Sequence, residues 1–270
     1  MSQRTDIIKR NNISVLGSGS EVLLFAHGFG CDQRIWEPAI AALQGEYTIV
    51  LFDYVGAGKS DKSHFIESRY ANIHGYAQDI IEVVEALHLE EFSYVGHSIS
   101  GAIGYLVSLA LPEKVKKVIA FSPSACYLND PTNDYYGGFE EADIQQLFAM
   151  MEHNFYEWAG FLAPKAMNQD DRPELAADLA ASFRATDPTI LKSFARATFL
   201  CDIRERLPEV KVPVVLFYGT ADMVVPESAI EFQIEHLEHC KAIQIPVTGH
   251  YPHVSEPKLV AMEIEKELNR

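Results

Sequence analysis

Short apolar runs alternate along the chain with longer stretches whose apolar residues recur at helical spacing. The runs are rich in β-branched and aromatic residues, which is typical of strands buried on both faces. They cover residues 22–26, 48–52, 92–95, 118–121, 214–218 and 242–245. The helical pattern covers residues 35–43, 75–87, 102–111 and 259–268. This alternation predicts an α/β fold, with a mostly parallel sheet and helices on both of its faces.

The first apolar pieces stand apart from this alternation. Ile7-Ile8 and residues 13–16 are short and β-prone, and Asn11-Asn12 lies between them. Asparagine favours turns, so these pieces predict an opening hairpin.

The stretch 127–206 interrupts the alternation, because it carries helical stripes and no convincing strand. Prolines divide it into about four helices. Helices inserted between two strands predict a lid over the carboxyl edge of the sheet, where α/β proteins bind ligands. We therefore expect a core formed by residues 1–126 and 207–270 and a helical lid formed by residues 127–206.

The composition excludes several classes of partner. The chain has 270 residues, of which 48% are apolar and 22% charged, as in an ordinary globular protein. Its net charge of −16, without any basic stripe, argues against binding to nucleic acid or to an anionic membrane surface.

Cysteine usage and the start of the chain predict the compartment. Residues 1–6 contain no apolar run of signal length, and no later stretch approaches a membrane span. The four cysteines are scattered, so reduced thiols are expected. They are Cys31, Cys126, Cys201 and Cys240. These features predict a cytoplasmic protein.

A serine stands at a sharp turn between the strand 92–95 and the helix that follows it. The turn reads Gly96-His97-Ser98-Ile99-Ser100-Gly101. A serine exposed on a strained strand-to-helix corner is typical of the nucleophile elbow, Gly-x-Ser-x-Gly. The last position here is serine instead of glycine, and serine is small enough for the turn to be kept.

Two residues downstream of Ser98 complete the set that a serine nucleophile needs. A serine hydroxyl requires a base to take its proton, and the base requires a third group to orient it. In hydrolases the order along the chain is Ser, Asp or Glu, then His. Asp222 follows the strand 214–218 and His250 follows the strand 242–245, so each candidate lies at the carboxyl edge of one sheet. The order and the placement together predict a catalytic triad.

Acyl transfer also requires two N–H groups that stabilise the oxyanion. One is expected from Ile99, the residue after the nucleophile, and the other from Phe29 in the glycine-rich loop after the first buried strand. This chemistry needs no metal and no organic cofactor. His250 and His253 are three residues apart, but the intervening Pro252 argues against one helical face, so no metal site is predicted.

Six motifs carry a resemblance to a known family. They are Gly28-Phe29-Gly30-Cys31-Asp32-Gln33, Phe52-Asp53-Tyr54-Val55-Gly56-Ala57-Gly58, Gly75-Tyr76-Ala77-Gln78-Asp79, Gly96-His97-Ser98, Cys126-Tyr127-Leu128-Asn129-Asp130-Pro131 and Tyr136-Gly137-Gly138-Phe139-Glu140. Through them the sequence resembles the α/β-hydrolase superfamily over nearly its whole length. Within that superfamily it resembles the group of the bacterial stress-response regulator RsbQ and the plant karrikin and strigolactone receptors.

The resemblance implies a core α/β-hydrolase domain with a V-shaped, four-helix lid over a hydrophobic pocket. It implies slow hydrolysis of small apolar esters or lactones, coupled in known members to signalling through a protein partner. Carried over by position, it implies the triad Ser98, Asp222 and His250, the oxyanion donors Phe29 and Ile99, and the pocket walls Phe139, Phe161, Phe194 and Phe199.

Three functions remain open at this point. The first is a serine hydrolase of small hydrophobic esters or lactones that works through an acyl-enzyme. The second is a ligand receptor or regulator whose lid movement is read by a regulatory protein partner. The third is a general carboxylesterase or a carbon–carbon bond hydrolase with the same triad.

Overall fold

One twisted sheet forms the centre of the molecule in the computed structural model, which describes residues 3–41, 43 and 45–269. Within these residues the sheet has seven strands, in the order β1-β3-β2-β4-β5-β6-β7. They are β1 (Ser14–Leu16), β2 (Glu21–Ala26), β3 (Tyr47–Leu51), β4 (Phe92–His97), β5 (Val115–Phe121), β6 (Val214–Thr220) and β7 (Cys240–Thr248). β1 runs antiparallel to β3 and all other neighbours pair in parallel, so the predicted mostly parallel sheet is confirmed.

Helices connect these strands. In the described part of the chain they are α1 (Gln3–Arg10), α2 (Glu37–Ile40), α3 (Ile73–Ala86), α4 (Ile99–Ala110), α5 (Glu141–His153), α6 (Phe155–Met167), α7 (Pro173–Ala185), α8 (Pro188–Phe199), α9 (Glu227–His236), α10 (Pro252–Ser255) and α11 (Pro257–Leu268). The predicted helix over 35–43 is shorter than expected, because a 3-10 turn over Gln33–Trp36 precedes α2. Ala42, inside that prediction, lies outside the described residues.

The strands bury both of their faces. Alternate residues of a strand point to opposite faces, and in β2 Leu24 belongs to one apolar cluster while Leu23 and Phe25 belong to another. The first cluster contains the inward residues of α3, α4 and α9, and the second contains those of α2 and α11. The predicted placement of helices on both faces is therefore confirmed.

The predicted opening hairpin is wrong. Ile7 and Ile8 lie in α1, and the turn at Asn11-Asn12 ends that helix, with Asn12 in the left-handed region at φ 46°. The N–H of Ile13 donates to the carbonyl of Ile8 across this end. Residues 14–16 then pair with β3, a strand more than 30 residues away in sequence. Residues 14–16 do form a strand, but its partner is β3, distant in sequence, and not the neighbouring residues 7–8.

Four helices, α5 to α8, lie between β5 and β6 in the described residues. α6 and α7 pack side by side, and α5 packs against both α6 and α8. We call residues 127–206 the helical segment. None of the described helices is long and apolar enough to cross a membrane.

Candidate active site

Ser98 lies on a strained backbone between β4 and α4. Its dihedral angles are φ 56° and ψ −126°, which a non-glycine residue rarely adopts. The turn is tight at its start too, since a Cβ at Gly96 would lie 2.6 Å from the carbonyl oxygen of Ser100. This backbone directs the Ser98 hydroxyl, at the carboxyl end of β4, toward the loop that carries His250.

Ser100, which replaces the glycine of the elbow pattern, has hydrogen bonds of its own. Its Oγ donates to the carbonyl of His27 at 2.6 Å. The hydroxyl of Tyr54 lies 2.8 Å from the same Oγ and donates to it. Ser100 therefore ties the elbow to the loops that follow β2 and β3.

Ser98, His250 and Asp222 form one chain of hydrogen bonds. Ser98 Oγ lies 2.8 Å from His250 Nε2, and His250 Nδ1 lies 2.8 Å from Asp222 Oδ2. The second carboxylate oxygen of Asp222 accepts from the N–H groups of Val224 and Val225, which fixes its orientation. A carboxylate on Nδ1 holds the proton there, so Nε2 is free to accept the proton of the serine hydroxyl.

The buried ring of His97 supports the backbone of His250. His97 is fully buried and its Nε2–H donates to the backbone carbonyl of His250 at 2.7 Å. Desolvation, reinforced by the neighbouring His253, lowers the pKa of His97 well below its ordinary value. His97 is therefore neutral, and its single ring proton is committed to holding the His250 backbone.

Of the two expected oxyanion donors, one follows Ser98 in the chain and the other borders the same cavity as Ser98. Ile99 is the first residue of α4, and Phe29 lies in the loop after β2 and borders the same cavity as Ser98. Among the described residues, no protein acceptor bonds to the N–H of Phe29 or of Ile99. The first N–H groups of a helix have no partner within the helix, so Ile99 can donate to an oxygen held at Ser98.

The turn between α6 and α7 is bonded to the loops that carry His250 and Asp222. The N–H of His250 donates to the carbonyl of Ala166 at 2.9 Å. The side-chain amide of Gln169 donates to the carbonyl and the hydroxyl of Thr248, each at 3.0 Å, and that of Asn168 donates to the carbonyl of Ala221 at 3.1 Å. We call residues 166–169 the α6 corner.

Close packing reinforces the α6 corner. A Cβ at Gly249 would lie 2.2 Å from the carbonyl oxygen of Met167, and Gly249 has φ 83°. Only glycine fits between the base and the corner, so the helical segment and the His250 loop are in direct backbone contact.

An apolar cavity lies between the sheet and the helical segment, directly above Ser98. The space it encloses, including its opening to solvent, is about 540 Å³. Its lining is Phe29, Ser98, Tyr127, Phe139, Leu147, Leu162, Ala166, Phe183, Thr198, Phe199, Met223, Val224, His250 and Tyr251. Of the four aromatic residues expected as pocket walls, Phe139 and Phe199 line this cavity.

Phe161 and Phe194 do not line the cavity, which corrects that expectation. Phe161 is 47% exposed, and the Lys165 ammonium lies over its ring. Neighbouring residues of a helix point about 100° apart, and it is Leu162 that faces the cavity. Phe194 is stacked on Tyr76 at 4.2 Å, so it fills the contact between α8 and the core.

Three hydroxyl-bearing residues of the cavity were not predicted from the sequence, namely Tyr127, Thr198 and Tyr251. The Tyr127 hydroxyl lies 3.3 Å from Ser98 Oγ, and burial raises the pKa of Tyr127, which keeps that hydroxyl protonated. Thr198 lines the cavity from α8. Tyr127 follows β5 at the carboxyl edge of the sheet, which is a signal that sequence reasoning had available. Thr198 stands within an apolar helical stripe, so the sequence offered no signal for its place in the cavity.

Comparison with protein families gives one clear match. Residues 23–263 match the family model described as the alpha/beta hydrolase family.

Several known proteins are similar to the chain over almost its full length. A strigolactone esterase, RMS3, of Pisum sativum is 35% identical over 98% of this chain and 99% of its own length. The karrikin insensitive 2 receptor CA of Petunia hybrida is 35% identical over 93% of this chain and 92% of its own. The solved structure of a hydrolase from Oleispira antarctica superposes with a TM-score of 0.96 at 34% identity, covering 100% of this chain and 98% of that one.

Proposed function

The chain belongs to the alpha/beta hydrolase family, and on that premise we propose that it is a serine hydrolase of small hydrophobic esters or lactones. Ser98, His250 and Asp222 are its triad, and residues 127–206 act as a lid over a core formed by residues 1–126 and 207–270. The observation that carries the proposal is the continuous hydrogen-bond chain from Asp222 through His250 to Ser98 at the floor of an apolar cavity.

The proposed reaction has two halves. Ser98 Oγ attacks the ester carbonyl while His250 Nε2 takes the hydroxyl proton, and the Phe29 and Ile99 N–H groups stabilise the oxyanion. His250 then gives the proton to the leaving alkoxide, and the acyl group stays on Ser98. Water, deprotonated by His250, attacks the acyl-enzyme and releases the acid, and the proton returns to Ser98.

The lining of the cavity supports the choice of substrate class. No lysine, arginine, aspartate or glutamate is among the described residues that line it. A charged substrate would lose its hydration there without gaining a partner, which is costly. A neutral, mostly hydrocarbon ester or lactone buries its surface against Phe139, Phe199 and their neighbours instead.

The proposal also includes a cytoplasmic location. The free cysteines of the described chain favour it, because reduced thiols persist in a reducing compartment.

A second candidate function is ligand sensing with slow hydrolysis, read by a regulatory protein partner. The hydrogen bond from the His250 N–H to Ala166 in α6 supports it, because a change at the base reaches the helical segment directly. The similar Petunia protein bears the name of a receptor.

Rapid turnover of a simple ester favours a general carboxylesterase, whereas a ligand-induced rise in melting temperature that survives Ser98→Ala favours sensing.

Replacing the nucleophile tests the proposed function. Ser98→Ala removes the attacking oxygen, so turnover of p-nitrophenyl acetate is expected to fall by at least about a thousandfold. Labelling by a fluorophosphonate probe is expected to disappear.

Ser108→Ala is the matched control for this test. Ser108 lies in α4, the helix that follows Ser98, and among the described residues its hydroxyl bonds only to the carbonyl of Tyr105 in that helix. The control is expected to keep turnover and labelling. Undiminished turnover in Ser98→Ala would refute the assignment of the nucleophile.

A further inference from the structure

Thr198 places a buried hydroxyl without a partner in the wall of the cavity. The residue lies in the last turn of α8 and is 2% exposed. In the described part of the chain its Oγ1 has no hydrogen-bond partner. A threonine in a helix commonly donates to the carbonyl one turn earlier, and Thr198 makes no such bond. A valine would fill the same space without burying an unpaired polar atom.

The other hydroxyls of the cavity have neighbours that occupy them. Ser98 is bonded to His250 and lies beside Tyr127, so both of these hydroxyls belong to the chemistry. The Tyr251 side chain lies beside the thiol of Cys31. The Thr198 hydroxyl therefore stands out as a donor and acceptor that the protein itself leaves unused.

Thr198 lines the same cavity as Ser98. The next residue, Phe199, packs its ring 5.9 Å from that of Phe29 and 5.5 Å from that of Tyr127. Phe29 supplies one proposed oxyanion donor, and Tyr127 touches Ser98. A ligand whose carbonyl sits at Ser98 therefore extends along the end of α8.

We propose that the Thr198 hydroxyl is a polar subsite that binds an oxygen of the ligand other than those of the scissile ester or lactone. This inference rests on the proposed function and narrows its substrate class. The ligand is a small, mostly hydrocarbon ester or lactone that carries one further ketone, ether or hydroxyl oxygen. In an apolar cavity such an oxygen pairs with Thr198, whereas a pure hydrocarbon leaves the hydroxyl unpaired.

Matched substrates test the subsite. The probes are p-nitrophenyl hexanoate and its 4-oxo and 5-oxo derivatives, which differ only in a ketone and its position. In the wild-type protein, at least one ketone ester is expected to have the lower KM. Thr198→Val is expected to lower the kcat/KM ratio of that ketone ester to the hexanoate by about fivefold to tenfold, mainly through KM. Thr198→Ser keeps the hydroxyl and is expected to keep the ratio.

A second measurement is independent of turnover. The ligands are methyl hexanoate and the methyl ester of the 4-oxo or 5-oxo acid that the wild-type protein prefers. In the Ser98→Ala protein, Thr198→Val is expected to weaken binding of the oxo ester relative to methyl hexanoate by a similar factor. Without ligand, Thr198→Val is expected to raise the melting temperature by about 2 °C, because the unpaired hydroxyl is gone.

The outcomes separate this inference from the proposed function. A wild-type protein that binds but does not turn over the esters refutes the proposed function and leaves the subsite to be judged by binding. Ratios that do not respond to Thr198→Val for either ketone position overturn the subsite. So does a lower or unchanged melting temperature in the free Thr198→Val protein, because the hydroxyl would then have a partner within the chain.

Discussion

At the scale of single residues, a small departure from a motif can be a structural device. Ser100 stands where the elbow pattern has glycine, and its hydroxyl accepts from Tyr54 and donates to the His27 carbonyl. The turn itself needs only a small residue there. The hydroxyl adds a connection between α4 and the loop that presents Phe29, one of the proposed oxyanion donors.

Removing that hydroxyl is expected to cost stability. Ser100→Ala removes a hydrogen bond from a buried tyrosine hydroxyl and another from a buried carbonyl, which is expected to destabilise the protein by about 1–3 kcal/mol. For a chain of this size the melting temperature then falls by about 2–6 °C. Thermal unfolding followed by circular dichroism measures the change, and an unaltered melting temperature would contradict the role assigned to Ser100.

The residue scale also shows where sequence reasoning stops. The convergence of Ser98, Asp222 and His250 was predictable because each follows a strand, and the ends of parallel strands meet at one edge. Phe161 and Phe194 were placed in the cavity wrongly, because an aromatic stripe does not reveal which neighbour it faces. Thr198 was missed because it stands within an apolar helical stripe, and the sequence does not show which side of that helix faces the cavity.

At the scale of elements, the strands were the most predictable part of the chain. A strand buried on both faces is a continuous apolar run, and each predicted run became one of β2 to β7. The predicted α/β-hydrolase fold is confirmed by this sheet and by the matching hydrolase structure. The opening segment was misread, because a short amphipathic piece fits a helix or a strand until its partner is known. In the folded chain, Arg10 at the end of α1 pairs with Asp79 of α3, which holds α1 as a helix against the core.

The α6 corner connects one element of the helical segment to the proposed base. The amide of Gln169 bonds twice to Thr248, two residues before His250. This arrangement restricts the loop whose imidazole must stay within reach of Ser98.

Loosening the α6 corner is expected to affect the chemical step more than binding. Gln169→Ala removes both bonds to Thr248, so kcat for p-nitrophenyl acetate is expected to fall by about threefold to tenfold with KM nearly constant. Gln146→Ala, on the exposed side of α5, is the control and is expected to leave both constants unchanged. A fall in affinity without a fall in kcat would show that the corner shapes the cavity and does not position the base.

At the scale of the whole molecule, a group of buried histidines links folding to pH. His27, His97 and His253 are fully buried, and burial lowers the pKa of each ring, that of His253 to about 3. In the unfolded chain these rings have an ordinary pKa of about 6.5. Below pH 6.5 the unfolded chain takes up protons on these rings that the folded chain does not. The contribution of the three histidines to the free energy of unfolding is therefore constant above pH 6.5 and falls as the pH decreases below it.

The size of this effect can be measured by urea unfolding between pH 7.5 and 5.5. His97 and His253 stay neutral over this range, so each is expected to cost about 1.4 kcal/mol per pH unit below 6.5, and His27 adds to the effect in the same direction. His253 is stacked on Trp36 and neither of its ring nitrogens has a partner, so His253→Phe keeps the stacking and removes the titration. The variant is expected to lose about a third of the pH dependence. A variant with the full wild-type dependence would show that carboxylates, and not these histidines, cause it.

The attachment of the helical segment has a consequence for how such a protein diversifies. α6 is bonded to the loop of His250, whereas Leu147 on α5 and Thr198 on α8 line the cavity and, among the described residues, form no hydrogen bond to Ser98, Asp222 or His250. Part of the surface that recognises the ligand is therefore carried by helices other than α6, although Leu162 and Ala166 of α6 also line the cavity. A lineage built on this scaffold can change the molecule it accepts one side chain at a time, while the machinery that cleaves it stays as it was.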